Sequence, residues 1–161
     1  MRRDEILLPD GSEGFREVVE HPGGVSVAAL TEDGCVLFVR QFRYPYGEEI
    51  LEIPAGKLER GEDPLECGKR ELLEETGAVA ESYVFLGKLY PTPGYTNEII
   101  YMYAATGLTF GEASPDEDEF LALERIPLDE AVRMVMDGTL PDAKTQTMIL
   151  KLSHLRREGK I

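Results

Sequence analysis

The segment from Asp63 to Gly77 carries the strongest local structural signal in the sequence. Asp63 is a residue type favoured at the N-cap of a helix, Pro64 follows at the first helical position, and Gly77 is typical of the position just past a helix C-terminus. At about 100° per residue, apolar or small side chains share one face of this helix, and glutamates share the adjacent one. The first set is Leu65, Gly68, Leu72 and Thr76, and the second is Glu71, Glu74 and Glu75. The pattern predicts a helix that packs through one side and gathers negative charge beside it.

Glu71 and Glu75 lie one helical turn apart, which places their Cβ atoms about 5 to 6 Å from each other. Two carboxylates at this spacing repel unless a cation lies between them, and a hard divalent cation prefers such oxygen ligands. A glutamate-rich helix face is also typical of a solvated surface. The glutamates alone therefore leave a metal site and a solvated face as open alternatives.

Length and composition exclude several classes of protein. A chain of 161 residues with 42% apolar content is the size of one domain and can bury a core without a metal or a disulfide. Acidic residues outnumber basic ones by 31 to 17, and the net charge of -14 excludes a nucleic-acid-binding module that neutralises phosphates. Cys35 and Cys67 fit neither a disulfide scaffold nor a zinc site and predict a cytoplasmic compartment. Because no apolar run approaches about 18 residues, no membrane insertion is expected.

Strand and helix patterns alternate along the chain. Two short strands separated by a Pro-Asp-Gly turn predict a ribbon within residues 1–22, and the apolar runs 25–30 and 36–42 predict a buried hairpin. These elements predict an α/β layered domain with a mixed sheet over residues 23–161. The ribbon strands are expected at 6–8 and 15–20, further strands at 50–53, 83–90, 98–105 and 120–126, and helices at 63–77, 128–136 and 142–157.

The helix lies inside a longer motif. From Gly56 to Ala78 the chain reads GKLERGEDPLECGKRELLEETGA, which resembles the Nudix hydrolase signature G-x5-E-x7-R-E-U-x-E-E-x-G-U, where U is aliphatic. One position departs from the signature, because Ala78 stands where a larger aliphatic residue is usual, and a small packing change is expected there. Eight fixed positions match over the 23 residues: Gly56, Glu62, Arg70, Glu71, Leu72, Glu74, Glu75 and Gly77.

The resemblance implies a fold, a cofactor and a set of metal ligands. The fold is a Nudix-type α/β/α sandwich with a mixed sheet, and the cofactor is Mg²⁺, with Mn²⁺ as the alternative. The implied ligands are Glu71, Glu75 and the backbone carbonyl of Ala55. The resemblance also implies that Glu62 supports the helix by pairing with Arg70, which would orient the metal ligands. Two alternatives remain for Glu74, which either completes a hydrogen-bonded or water-mediated shell around the metal or is exposed.

Further segments resemble the ADP-ribose pyrophosphatases within this family, and Pro93, 16 residues after Gly77, shares their spacing. The implied reaction is metal-assisted hydrolysis of ADP-ribose to AMP and ribose 5-phosphate. Arg43, Gly94 and Glu98 are the expected substrate-binding residues. A planar guanidinium at a strand end suits a phosphate, although Arg43 also fits a surface charge, and Glu98 also fits an outward-facing strand residue. The segments are residues 39–44, 51–56, 90–98 and 142–145.

A second acidic cluster, residues 116–119, precedes the predicted strand at 120–126. A bare charge run of this kind is typical of a solvated loop. Alternate residues entering a strand point to the same side, so Glu117 and Glu119 can face the helix carboxylates together. In the ADP-ribose pyrophosphatases an acidic loop here supplies a catalytic base and a further metal ligand, which implies Glu117 as the base and Glu119 as the ligand. The register of the loop leaves an exchange of these two roles open.

Other functions compatible with the sequence are hydrolysis of another nucleoside diphosphate sugar and a ligand-binding Nudix module without catalysis. The complete set of helix glutamates argues against the second. The expected partner is a small nucleoside diphosphate sugar, with neither nucleic acid nor membrane. The ribbon at residues 1–22 would create an exposed sheet edge, which together with the resemblance predicts a homodimer.

Overall fold

The computed structural model of the protein describes residues 1–111 and 122–161. These residues form nine strands and three helices. The strands are β1 (Arg2–Leu7), β2 (Glu13–Val18), β3 (Gly24–Ala29), β4 (Cys35–Arg43), β5 (Glu48–Glu52), β6 (Ala55–Lys57), β7 (Ala78–Leu89), β8 (Ile100–Phe110) and β9 (Ala122–Pro127). The helices are α1 (Pro64–Thr76), α2 (Leu128–Met136) and α3 (Ala143–Arg157).

The central sheet has four strands in the order β6-β3-β8-β7. It is mixed, because β3 runs parallel to β8 and antiparallel to β6, while β7 runs antiparallel to β8. All six residues of β3 are buried, since helices cover both faces of the sheet. Val25, Val27 and Ala29 face the apolar cluster under α1, and Ala28 belongs to the opposite cluster under α3. The predicted α/β/α sandwich with a mixed sheet is confirmed.

A second, antiparallel sheet has three strands in the order β5-β4-β9. The predicted hairpin of residues 25–30 and 36–42 is wrong, because β3 and β4 belong to different sheets and share only one bridge, between Leu30 and Val36. Both strands are too apolar for their side-chain alternation to specify a pairing partner. The strand β6 was not predicted, β7 begins five residues earlier than expected, and β8 begins at Ile100, after Glu98.

All three predicted helices are present, and local signals determine where α1 begins and ends. Asp63 caps α1, where its side chain accepts hydrogen bonds from the backbone N–H of Leu65 and Glu66 at 2.9 and 3.3 Å. Gly77 ends the helix in the left-handed conformation, with φ of 69°. Gly68 allows α1 to approach the sheet, because a Cβ there would lie 3.1 Å from the side chains of Val25 and Val27.

The strands β1 and β2 form a separate antiparallel ribbon, as predicted. Leu7 and Phe15 on this ribbon are 75% and 51% exposed. The residues after β2 join the body, since the backbone N–H of Val19 donates to the carbonyl of Tyr95 at 2.7 Å and Thr96 forms a parallel bridge with Val19. No helix in the described part of the chain is long and apolar enough to cross a membrane.

Candidate active site

Glu75 connects α1 to the neighbouring strand β6. Its side chain is 5% exposed, and its Oε2 accepts a hydrogen bond from the backbone N–H of Ala55 at 3.1 Å. Ala55 is the first residue of β6, which pairs with β3 beneath the helix. The structure therefore brings together two of the predicted metal ligands, one on the helix and one on the strand.

Glu71 lies one turn earlier on the same face of α1 and passes over Gly56. A Cβ built on Gly56 would lie 1.8 Å from the carboxyl carbon of Glu71 and 1.9 Å from its Oε1. The first glycine of the signature thus leaves space for the Glu71 carboxylate. That carboxylate also contacts Arg70, whose Nη1 lies 2.8 Å from Glu71 Oε1.

Arg70 holds a cluster of three carboxylates. Its Nε donates to Glu62 Oε1 at 3.1 Å, its Nη2 donates to Glu62 Oε2 at 3.3 Å, and its Nη1 donates to Glu74 Oε2 at 2.9 Å as well as contacting Glu71. The hydrogen bonds from Arg70 lower the pKa of Glu62 to about 2, and the same contacts raise the pKa of Arg70. The expected pairing of Glu62 with Arg70 is present, and Glu74 is half-exposed at the rim of this cluster.

The donor set suits a hard divalent cation. Two carboxylates and a backbone carbonyl are oxygen ligands, and the glycine beneath Glu71 leaves room for that carboxylate to lie against β6. In residues 1–111 and 122–161, no three acidic, histidine or cysteine side chains form a metal-binding group of their own. Glu117 and Glu119, the predicted base and further ligand, lie outside the described residues.

Arg43 lies at the end of β4 and makes a two-pronged ion pair that the sequence did not predict. Its Nε and Nη2 donate to the two oxygens of Glu52, on β5, at 2.6 and 2.7 Å. Glu52 also contacts Lys144, near the start of α3. The hydrogen bonds that Arg43 donates to Glu52 raise the pKa of Arg43, and the nearby negative charges of Asp142 and Glu75 contribute. The effect of Glu75 places the guanidinium within electrostatic range of a predicted metal ligand.

Burial alone would raise the pKa of Glu52, but the contacts with Arg43 and Lys144 outweigh burial and lower it. Glu52 therefore stays ionised between two cations. Glu52 and Lys144 both lie in segments that carry the family resemblance, but their partnership spans 92 residues of sequence, and no local pattern predicts it.

Gly94 and Glu98 lie in the connection between β7 and β8. Glu98 precedes the strand, and its Oε1 lies 3.8 Å from Nδ1 of His21. Asn97 fixes the segment to the chain after β2, because its Oδ1 accepts a hydrogen bond from the backbone N–H of His21 at 2.8 Å. Nothing in the described structure lies within 4 Å of a Cβ built on Gly94, so no internal contact requires a glycine there.

Comparison with known proteins agrees with this geometry. The NUDIX domain family matches residues 20–146, so the chain belongs to the Nudix family. A solved structure described as an ADP compounds hydrolase has the same fold, with a TM-score of 0.83 over 98% of this chain and 86% of that one, at 23% sequence identity.

Several characterised relatives are similar along most of their length. An ADP-ribose pyrophosphatase of Bacillus subtilis is 41% identical over 88% of this chain and 78% of its own length. A methanol dehydrogenase activator of Bacillus methanolicus is 44% identical with the same coverage. A GDP-mannose pyrophosphatase of Yersinia enterocolitica is 33% identical, again over 88% of this chain and 78% of its own. Two of these three names describe pyrophosphatases of nucleoside diphosphate sugars.

Proposed function

We propose that the protein is a Nudix hydrolase that uses Mg²⁺, with Mn²⁺ as the alternative ion, to hydrolyse ADP-ribose. Water adds across the diphosphate linkage, the bond between one phosphorus and the bridging oxygen breaks, and the products are AMP and ribose 5-phosphate. The observation that carries the proposal is the convergence of Glu71, Glu75 and Ala55, with Arg43 bound to Glu52, three residues before Ala55. The identity to ADP-ribose pyrophosphatases of Bacillus subtilis and Mycobacterium tuberculosis, 41% and 37%, supports this choice of substrate.

The proposed reaction requires residues that bind the metal and a residue that accepts a proton. Glu71, Glu75 and the carbonyl of Ala55 would hold the metal, together with Glu119. When bound, Mg²⁺ neutralises charge on the diphosphate and lowers the pKa of water. Glu117 is proposed as the base that accepts the proton of the attacking water.

Arg43 is proposed to bind a phosphate through the edge of its guanidinium that Glu52 does not occupy. Gly94 and Glu98 are proposed to contact the substrate from the connection before β8, where Glu98 can accept a hydrogen bond from a ribose hydroxyl. Glu62 and Arg70, with Glu74, are proposed to orient the metal-binding side of α1.

A substrate panel tests the activity. The protein is incubated with ADP-ribose, ADP-glucose, GDP-mannose and dinucleotides, with and without Mg²⁺, and the release of AMP or GMP is measured. We expect Mg²⁺-dependent release of AMP, fastest from ADP-ribose. Faster release of GMP from GDP-mannose would instead favour the second candidate, a GDP-sugar hydrolase, which the 33% identity to a GDP-mannose pyrophosphatase supports. Tight binding of one compound without turnover of any would favour a non-catalytic module.

Two variants separate metal binding from proton transfer. Glu75→Gln is expected to abolish turnover by weakening metal binding, measured by titration with Mn²⁺. Glu117→Gln is expected to abolish turnover while leaving the affinity for Mn²⁺ and ADP-ribose largely intact. Near-normal activity in either variant would contradict the role assigned to that residue.

We further propose that the protein is a cytoplasmic homodimer. Both cysteines are free thiols, which suits a reducing compartment. The ribbon exposes Leu7 and Phe15, and a second copy is the proposed cover for them. Light scattering after size-exclusion chromatography tests the dimer, and a Leu7→Glu/Phe15→Glu variant is expected to be monomeric. A monomeric wild-type protein at micromolar concentration would refute the dimer.

A further inference from the structure

The carboxylate of Glu52 is buried between two cations that come from distant parts of the chain. The residue is 3% exposed, and its two oxygens accept hydrogen bonds from Nε and Nη2 of Arg43 at 2.6 and 2.7 Å. The oxygen bound to Nη2 also contacts Nζ of Lys144, which is 8% exposed. Lys144 therefore touches the phosphate-binding candidate Arg43 only through Glu52.

The N-terminus of α3 holds Lys144 in place. Asp142 caps this helix, and its Oδ2 lies 3.0 Å from Nζ of Lys144 and accepts hydrogen bonds from the N–H and hydroxyl of Thr145 at 2.9 and 2.7 Å. The hydroxyl of Thr145 in turn accepts a hydrogen bond from the backbone N–H of Ile53 at 3.1 Å. Two contacts, one through a side chain and one through the backbone, thus join α3 to the segment that leads from Glu52 to Ala55.

A buried ion pair of this kind is poorly explained by stability alone. Removing two charges from water costs several kcal/mol per ion, and a well-packed apolar pair often serves a fold equally well. Lys144 supplies something that an apolar residue cannot, because it shares the negative charge of Glu52 with Arg43. Without Lys144, the whole negative charge of Glu52 would act on Arg43 and neutralise it.

The shared carboxylate also leaves one edge of the guanidinium available. Arg43 is 39% exposed along its side chain, and in residues 1–111 and 122–161 its Nη1 makes no hydrogen bond. Glu52 grips the other two nitrogens and so fixes the plane of the group. A planar, fixed guanidinium with a free edge is suited to a two-point contact with phosphate oxygens.

We propose that Lys144 is a positioning residue that, through Glu52, holds Arg43 in a fixed orientation and keeps its positive charge available to a substrate phosphate. The proposal rests on the function proposed above, in which Arg43 contacts the diphosphate. It assigns a role to residues 142–145, a segment that the metal chemistry does not use.

A double-mutant cycle tests this role. Lys144→Met, Arg43→Gln and the double variant are compared with the wild type for kcat and KM with ADP-ribose and Mg²⁺, for Mn²⁺ affinity and for thermal unfolding. Lys151→Met is the matched control, because Lys151 lies on the same helix and, in the described part of the chain, its side chain donates only to the carbonyl of Leu86. Lys144→Arg tests whether another positively charged side chain can replace Lys144.

We expect Lys144→Met to raise KM about tenfold with a smaller change in kcat and unchanged Mn²⁺ affinity. In the Arg43→Gln background, the same substitution should change kcat/KM by less than about twofold, since its effect passes through Arg43. Lys144→Arg should recover part of the lost affinity, and the Lys151→Met control should resemble the wild type.

The proposal would be overturned if Lys144→Met lowered kcat/KM by the same factor in the wild-type and Arg43→Gln backgrounds. A wild-type KM for Lys144→Met would overturn it as well. If Lys144→Met does not fold, the cycle is run with Lys144→Gln, which removes the charge but retains a hydrogen-bond donor. A wild-type protein that does not turn over ADP-ribose would refute the proposed function first, and this proposal with it. An active wild type with an additive cycle would refute the positioning role alone.

Discussion

Replacement of Gly56 by alanine adds one methyl group and should disable the metal site while leaving the fold intact. The new Cβ would lie 1.8 Å from the carboxyl carbon of Glu71, whereas ordinary van der Waals contacts begin at 3.4 Å. The carboxylate must therefore move by about 1.6 Å. Ligand distances at metal sites are held to about 0.2 Å, so this displacement removes Glu71 from the donor set.

The expected loss of activity follows from that displacement. A misplacement of about 1 Å in an active site can cost about 100-fold in rate, and we expect a decrease of at least this size in kcat/KM for Gly56→Ala. Mn²⁺ affinity should fall at least about tenfold. Stability should change little, because the atoms that the new Cβ meets are the carboxylate of Glu71, at the end of a flexible side chain that can rotate away from the strand.

Three assays are used. Mn²⁺ binding is measured by titration with electron paramagnetic resonance as the readout, activity is measured as turnover of ADP-ribose, and stability is measured by thermal unfolding without metal. Gly111→Ala is the control, because a Cβ there would lie 3.9 Å from its nearest neighbour among the described residues and the backbone φ is not positive. In a Glu71→Ala background, adding Gly56→Ala should change metal affinity no further. Wild-type metal binding by Gly56→Ala would refute the assignment of Glu71 as a ligand.

Two further predictions concern stability. Because the pKa of Glu52 is lowered from 4.5 in the folded protein, its contribution is complete above that pH and is lost as the pH falls through the folded pKa. Denaturant unfolding should therefore show Glu52→Gln to be less stable than the wild type at pH 7, with a difference that narrows below about pH 4.5; a constant difference would contradict the pairing. Asp63→Ala should lose about 1 kcal/mol in the same measurement, since two N–H groups of α1 lose their acceptor, and Asp63→Asn should lose less.

The helices could be predicted because their signals are local. Asp63, Pro64 and Gly77 mark the two ends of α1 within a short stretch of sequence, and Asp142 marks the beginning of α3 in the same way. The pairing of strands is not local. All of β3 and residues 36–39 of β4 are buried, so these sequences lack the alternation that fixes register, and the turn between them suggested a hairpin that the sheets do not form.

In the candidate site too, contacts between residues close in sequence could be predicted, and contacts between distant residues could not. Glu71 and Glu75 could be placed together because they are one turn apart on a helix, and the pairing of Glu62 with Arg70 spans only eight residues. The ion pair of Glu52 and Lys144 was not predicted, because two residues 92 positions apart meet only after β5 and α3 pack together. The sequence predicted Arg43 as a phosphate ligand, with a surface charge as the alternative, but did not predict the residues that hold it.

The contacts of the two arginines explain how a chain with a net charge of -14 can bind a diphosphate. Arg70 contacts three carboxylates, which more than neutralise its single positive charge. It therefore reduces the negative charge on the proposed metal-binding face of α1 without adding positive charge for a substrate. Among the described residues, Arg43 contacts a single carboxylate, and Lys144 shares that carboxylate with it. Within residues 1–111 and 122–161, the positive potential left beside the proposed metal ligands therefore comes from Arg43, whereas Arg70 mainly limits repulsion among the glutamates. A cation held by Glu71 and Glu75 would add to the field of Arg43, and together they can outweigh the acidic surroundings at the point where the phosphates bind.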